Sequence, residues 1–132
     1  MYLRFVVADS HDQDAQCEHG PFRIYSDVAD DLETPAHISE ELHELRRWFN
    51  IHLEEPTRLT ESRHPRARDK AICWFKPEAQ ECVTRMWEMK HLLAEVGIQV
   101  DVLKAENPGI VVYEDDQQIA VIPHWRARVQ RI

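Results

Sequence analysis

The sequence predicts an α+β fold in which two main helices pack on a mixed sheet of about five or six strands. The chain has 132 residues, the usual length of one domain, and 43% of them are hydrophobic, which is enough for one core. Residues 71–75 (AICWF) are continuously apolar, as in a strand buried on both faces. A helical segment and an alternating strand at 98–103 follow, so the three elements together predict a βαβ unit.

The first half of the chain predicts two strands and a helix. Segments 1–8 and 21–26 are rich in aromatic and β-branched residues, which favour strands. Segment 39–52 has the apolar spacing of a helix, and Ser39 is a suitable capping residue. Pro35 is an alternative helix start, because proline fits the first helical position.

The second half predicts a long helix and a hairpin. Pro77 at the first helical position and Gly97 twenty residues later are typical of the beginning and end of a helix. Segments 110–114 and 118–122 flank the acidic turn residue Asp115, and therefore predict a C-terminal hairpin. We expect residues 1–123 to form one domain and residues 124–132 to form a basic tail.

The charges are segregated along the chain. The 24 acidic and 16 basic residues give a net charge of -8, which argues against a protein coated all over by nucleic acid or anionic lipid. Segment 58–76, however, carries six cations and two acids, and the tail adds three arginines. The net negative charge of the whole chain therefore does not exclude a local anion-binding site.

The basic segment predicts the candidate site. Lys76 lies where the central strand meets the next helix, and the backbone N–H groups at a helix N-terminus favour anions. We expect a small cytoplasmic accessory protein that binds a nucleotide, a phosphate or a nucleic acid, and we predict neither a cofactor nor a metal ion. The six candidate ligand-binding residues are Arg58, Arg63, Arg66, Arg68, Lys70 and Lys76.

Two other classes of function remain open. In the first, the protein is an interaction module or a homo-oligomer in which acidic and basic faces of two chains meet. In the second, it is an enzyme of unassigned reaction, for which Lys76, His64 and Tyr113 are the best residues. The sequence has no signal peptide or membrane span and an odd number of cysteines, three, so we expect a cytoplasmic protein without a membrane partner.

Some reactive side chains have ordinary structural interpretations. Cys73 and Cys82 fall on apolar segments and are expected to be buried thiols, whereas Cys17 lies in a polar segment and looks exposed. Lys90 falls within the apolar sector of its helix and needs a partner or a route to water. Two Glu-x-x-His pairs face away from the apolar stripes and are expected to be solvated: Glu40 with His43 and Glu88 with His91.

Several scattered pieces resemble a family of small uncharacterised bacterial proteins. They are Arg47 to Asn50, Pro56 with Arg58, Ser62, Arg63 and Pro65, Ala71, Ile72 and Trp74 to Lys76, and, near the C-terminus, Pro108, Gly109, Val112 to Asp115 and Gln118. The resemblance implies a bacterial, cytosolic protein of one domain. It implies no activity and no catalytic residue.

Overall fold

The structure is a computed structural model that describes residues 1–7, 21–54, 71–124 and 126–132. The described chain contains one six-stranded sheet, a short 3-10 helix and three α-helices. In chain order the elements are β1 (Tyr2–Val7), the 3-10 helix (Pro21–Arg23), α1 (Tyr25–Asp30), α2 (Ala36–His52), β2 (Ile72–Phe75), α3 (Gln80–Glu95), β3 (Val100–Ala105), β4 (Gly109–Glu114), β5 (Gln118–Pro123) and β6 (Gln130–Arg131).

The sheet has the strand order β4-β5-β2-β1-β3-β6, and every neighbouring pair is antiparallel. The predicted α+β class, the sheet of about five or six strands, the two main helices and the C-terminal hairpin are confirmed. The predicted mixed sheet is wrong. The βαβ unit is split: β2 and β3 run in the same direction, but β1 lies between them and pairs with both in the opposite direction.

The helix boundaries differ from the predicted ones at the N-terminal ends. Helix α2 begins at Ala36, so Pro35 marks its start, and the hydroxyl of Ser39 donates instead to the Ala29 carbonyl of α1. Helix α3 begins at Gln80, after a turn that contains Pro77. At its other end Gly97 has a φ of 85°, a left-handed conformation that favours glycine.

The predicted strand at 21–26 is wrong, because this segment forms the 3-10 helix and the start of α1. Tyr25 and Ala29 are four residues apart on one face of α1, and both are buried in the same cluster as the apolar face of α2. Aromatic residues favour strands only when a neighbouring strand is there to pair with them. Packing against α2 therefore overrides the local preference.

Two apolar clusters lie on opposite faces of the sheet. The larger one joins the helices to one face, through strand residues such as Phe5, Phe75 and Val102. Among the described residues the smaller one contains no helical residue, and its fully buried members come from the strands. These members are Val6, Trp74, Leu103, Ala105, Ile119 and Val121.

The sheet is strongly coiled, which encloses the smaller cluster. Four peptide bonds join Ala105 of β3 to Gly109 of β4, and they reach about 15 Å at most. In a flat sheet these strands are four places apart in the order, or about 19 Å. Coiling therefore brings the two ends of the sheet together around Trp74, which is 2% exposed.

We expect Trp74→Ala to lower the free energy of unfolding by about 3–5 kcal/mol, because it leaves a cavity in the enclosed cluster. Leu32→Ala is the control, since Leu32 is 101% exposed and its truncation is expected to change stability by less than about 0.5 kcal/mol. Urea denaturation measures both. Equal stability of the two variants would contradict the enclosed position of Trp74.

Candidate functional site

Most of the predicted basic site lies outside the described residues. Five of its six members belong to that part of the chain: Arg58, Arg63, Arg66, Arg68 and Lys70. The same applies to Cys17 and His64. Lys76 is the member of the predicted site that the structure describes.

Lys76 lies in acidic surroundings. Its Nζ is 2.5 Å from Oε2 of Glu114, and this hydrogen bond is the main reason why the pKa of Lys76 is raised. The other carboxylates of the same crevice are Glu78, Glu106 and Asp116, and we name this space the acidic crevice. An anion at Lys76 would have to displace Glu114 and approach three further carboxylates.

A second space has the opposite charge. A cavity of about 650 Å³, named here the tail cavity, lies between the end of β3, the start of β4 and the C-terminal segment. Three cationic side chains line it: Lys104 from β3, and Arg126 and Arg128 from the segment after β5. Among the described lining residues the one carboxylate is Glu106, whose Oε2 lies 3.7 Å from the ammonium group of Met1.

A turn after β5 brings the two arginines of the tail cavity towards Lys104. The N–H of Ala127 donates to the carbonyl of His124 at 2.8 Å, which closes the turn. The chain then continues into β6, where Gln130 pairs with Lys104. Residues that are more than twenty positions apart in sequence therefore line one cavity.

The charges of the tail divide between two roles. Nη1 of Arg131 is 2.6 Å from Oδ2 of Asp101, so an ion pair balances this arginine. His124 lines the tail cavity, and its Nδ1 accepts the N–H of Arg126 at 3.0 Å. In a neutral His124 ring Nδ1 is therefore the acceptor nitrogen and the proton is on Nε2.

The sequence contained part of this site. The three arginines of the tail stand out as a positive segment, but Lys104 does not, because it is a single cation in an alternating strand. Because side chains alternate along a strand, the position of Lys104 in β3 predicts only the face of the sheet on which it lies. The β3–β6 pairing decides that this lysine joins the arginines.

No family model, no curated protein and no solved structure matches this chain. The function therefore has to be inferred from the chemistry of the cavities themselves. In the part of the chain that is described, no helix combines the length and the apolar composition needed to cross a membrane.

The side chains singled out for an enzyme are engaged by carboxylates of the hairpin. Lys76 bonds to Glu114, and the hydroxyl of Tyr113 donates to Oδ2 of Asp115 at 2.8 Å. The ammonium group of Lys90 donates to the carbonyl of Val100, which satisfies it at the edge of the apolar stripe. These contacts are structural and identify no reaction.

The two described cysteines differ in exposure. Cys82 is buried, as predicted, and its thiol donates to Oε1 of Gln117 at 3.4 Å. Cys73 is exposed, so the prediction of a buried thiol is wrong at this position. Its pKa is nevertheless raised, because surrounding protein atoms remove part of its solvation even though water reaches the sulfur.

The two Glu-x-x-His pairs lie on outer helix faces. Glu40, Glu88 and His91 are exposed, and Nε2 of His43 lies 3.4 Å from a carboxylate oxygen of Asp30. Within residues 1–7, 21–54, 71–124 and 126–132, no group of three or more His, Cys, Asp or Glu side chains is arranged to hold a metal ion.

The Asp115 carboxylate organises the hairpin turn beside Lys76. It accepts the backbone N–H groups of Gln117 and Gln118 at 2.8 and 3.0 Å, together with the Tyr113 hydroxyl. Burial alone would raise the pKa of Asp115, but these hydrogen bonds outweigh it and lower the pKa below its ordinary value. The ionised form of Asp115 therefore stabilises the folded chain.

We expect Asp115→Asn to lower the free energy of unfolding at pH 7 by about 1–2 kcal/mol. Because the pKa of Asp115 is lower in the folded state, its contribution is present above pH 4 and is lost as the pH falls through the folded value. The stability difference between wild type and variant should therefore shrink from pH 5 to pH 2 in urea denaturation. Asp116→Asn, at an exposed neighbouring position, serves as the control. A difference that does not change with pH would contradict this assignment.

Proposed function

We propose that this protein is a small cytoplasmic accessory protein that binds a compact phosphate-bearing anion, of the size of a nucleotide or a di- or triphosphate, in the tail cavity. The observation that carries the proposal is the convergence of Lys104, Arg126 and Arg128 on one cavity. The free thiols of Cys73 and Cys82 are compatible with a reducing compartment.

The chemistry of the tail cavity suits phosphate. Guanidinium groups present parallel N–H donors that match two phosphate oxygens, while an ammonium group acts as a compact point charge. The volume of about 650 Å³ lies within the usual range for small-molecule sites. Ile110, which is 49% exposed, adds an apolar surface in the same cavity that a base or another flat group can contact.

The surroundings favour a compact anion over a nucleic acid. The tail cavity and the acidic crevice share Met1 and Glu106 in their walls, so the two lie side by side. A long phosphate backbone leaving the tail cavity in that direction would meet Glu78, Glu114 and Asp116. Like charges repel it, whereas a short polyphosphate stays within the basic wall.

The basic segment that precedes β2 remains part of the proposal as a second source of positive charge. Its cations, Arg58, Arg63, Arg66, Arg68 and Lys70, follow the end of α2 and precede β2 in sequence. Charge reversal at Arg63 and Arg66 tests this contribution independently of the tail cavity.

The first experiment measures pyrophosphate and ADP binding by isothermal titration calorimetry at low salt. The variant with Lys104→Met, Arg126→Gln and Arg128→Gln is expected to lose at least tenfold in affinity, because it removes three charge-assisted contacts. Arg131→Gln is the matched control, since Arg131 is paired with Asp101, and it is expected to retain the affinity.

The same titration separates the alternatives. A fall in affinity with rising salt supports a phosphate site. Loss of binding in Arg63→Glu/Arg66→Glu, with full binding in the triple variant, would move the site to the basic segment. Absence of binding of both probes in the wild type at millimolar concentration would reject the proposal.

Self-association is the second candidate function. Strand β4 is an edge of the sheet, and Ile110 and Val111 are each 49% exposed on it. A register shift between Val111 and Tyr113 interrupts this edge, and such bulges discourage edge-to-edge pairing. Self-association therefore ranks below ligand binding.

We expect light scattering to give the mass of a monomer, 15.6 kDa, at both low and high salt. A dimer at low salt that dissociates at high salt would favour the association of acidic and basic faces. A dimer insensitive to salt and lost in Val111→Lys would assign the interface to β4.

A further inference from the structure

The sheet is split between β1 and β2. In the described chain these strands pair at Leu3 and Phe75, whereas β1 pairs with β3 along its full length and β2 pairs with β5 along its full length. From this pair onwards, towards Val7 in β1 and back towards Ile72 in β2, the two strands therefore diverge. A cavity of about 590 Å³, named here the split cavity, lies at this divergence and reaches α1 and α2.

Six aromatic residues line the split cavity, and Phe22 is the most exposed of them. Phe22 is 38% exposed, although it contacts Tyr25 and Phe49 edge to face at ring-centroid distances of 5.6 and 5.1 Å. A partly exposed ring in such a cluster offers a face to a further aromatic group. The six aromatic lining residues are Phe5, Phe22, Tyr25, Phe49, Trp74 and Phe75.

The charged residues in the same wall are two arginines, Arg4 and Arg46, and one acid, Glu54. Arg46 projects from α2, with Nη2 at 2.8 Å from Nδ1 of His43 and Nη1 at 3.7 Å from Asp30. A guanidinium has five N–H donors, so these two neighbours leave donors for another acceptor. Asn50, exposed on the same helix, adds an amide to the rim.

We propose that the split cavity binds a small aromatic carboxylate or sulfonate, with its ring against the exposed part of Phe22 and its anionic group on Arg46. A mostly apolar cavity with a few polar groups at defined positions is the usual form of a small-molecule site. The ligand differs in class from the polyphosphate of the tail cavity. The two proposals therefore stand on separate residues and fail separately.

Cys73 provides a reporter inside this cavity. Its thiol is exposed and lines the split cavity, whereas the thiol of Cys82 is buried. Cys17 is replaced by Ser, so that of the two remaining thiols Cys73 is exposed to the alkylating reagent and Cys82 is buried. Since burial raises its pKa, alkylation is measured at a pH of about 8.5 to 9, where enough thiolate forms.

The experiment uses anilinonaphthalene sulfonate as the probe, on the full chain carrying Cys17→Ser. Fluorescence titration is expected to show one saturable site. The rate of Cys73 alkylation by iodoacetamide is expected to fall by at least fivefold at saturating probe. Phe22→Ala and Arg46→Gln are each expected to weaken probe binding about tenfold, which corresponds to the loss of one aromatic contact or one charged hydrogen bond.

A neutral probe isolates the role of the guanidinium. Anilinonaphthalene without the sulfonate is expected to bind wild type and Arg46→Gln equally, because it makes no ionic contact. Ile51→Ala is the matched control for Phe22→Ala, since Ile51 is 77% exposed on α2 and does not line the split cavity. Urea denaturation establishes that each variant is folded before it is titrated.

The outcomes decide between the two cavities. Unchanged probe affinity in both Phe22→Ala and Arg46→Gln, or an unchanged alkylation rate at saturation, would overturn the proposal. Loss of probe binding in the Lys104, Arg126 and Arg128 triple variant would overturn it as well, because it assigns the probe to the tail cavity. Retention of binding in that variant supports the split cavity, whatever the result with pyrophosphate.

Discussion

The position of β1 between β2 and β3 is the constraint on which the rest of the structure depends. Full pairing of β1 with β3 makes the centre of the sheet antiparallel and separates the two strands that α3 connects. Its short pairing with β2 opens the sheet on the other side. Both cavities contact this strand region, the tail cavity at Met1 and the split cavity at Arg4 and Phe5.

Coiling of the sheet follows from the short β3–β4 connection and decides which residues meet. It encloses Trp74 and its neighbours, which in the described part of the chain are strand and C-terminal residues, and it brings the start of β4 next to the end of β3. The helices pack against the opposite face of the sheet, where they form the larger cluster. A flat sheet of the same strands would leave the smaller cluster open to water and would separate Ile110 from Lys104.

Charge is organised over short distances. The acidic crevice and the tail cavity share a wall, so the electrostatic potential changes sign across a few residues. In the proposed phosphate site this arrangement would select anions by size, because a compact group stays within the positive wall and a long one does not. Lys76 belongs to the negative side and joins the end of β2 to the hairpin through Glu114.

Local patterns were sufficient for the elements with strong periodicity. The apolar stripe of α3, the hairpin around Asp115 and the strand that contains Trp74 could all be read from residue spacing. Short segments were less reliable: the residues from Pro21 to Tyr25 have the composition of a strand, yet they pack as helices on α2. Contacts with a distant element outweighed the local propensity there.

The sequence by itself determined the α+β class, the main helices and the segregation of charge, because these depend on near neighbours along the chain. The tertiary structure alone decided that β1 separates β2 from β3, that Cys73 is exposed and that Lys104 joins Arg126 and Arg128. The physical reason is common to all three. Strand order and the shape of the coiled sheet arise from pairing between distant segments, and no local period encodes which strands pair.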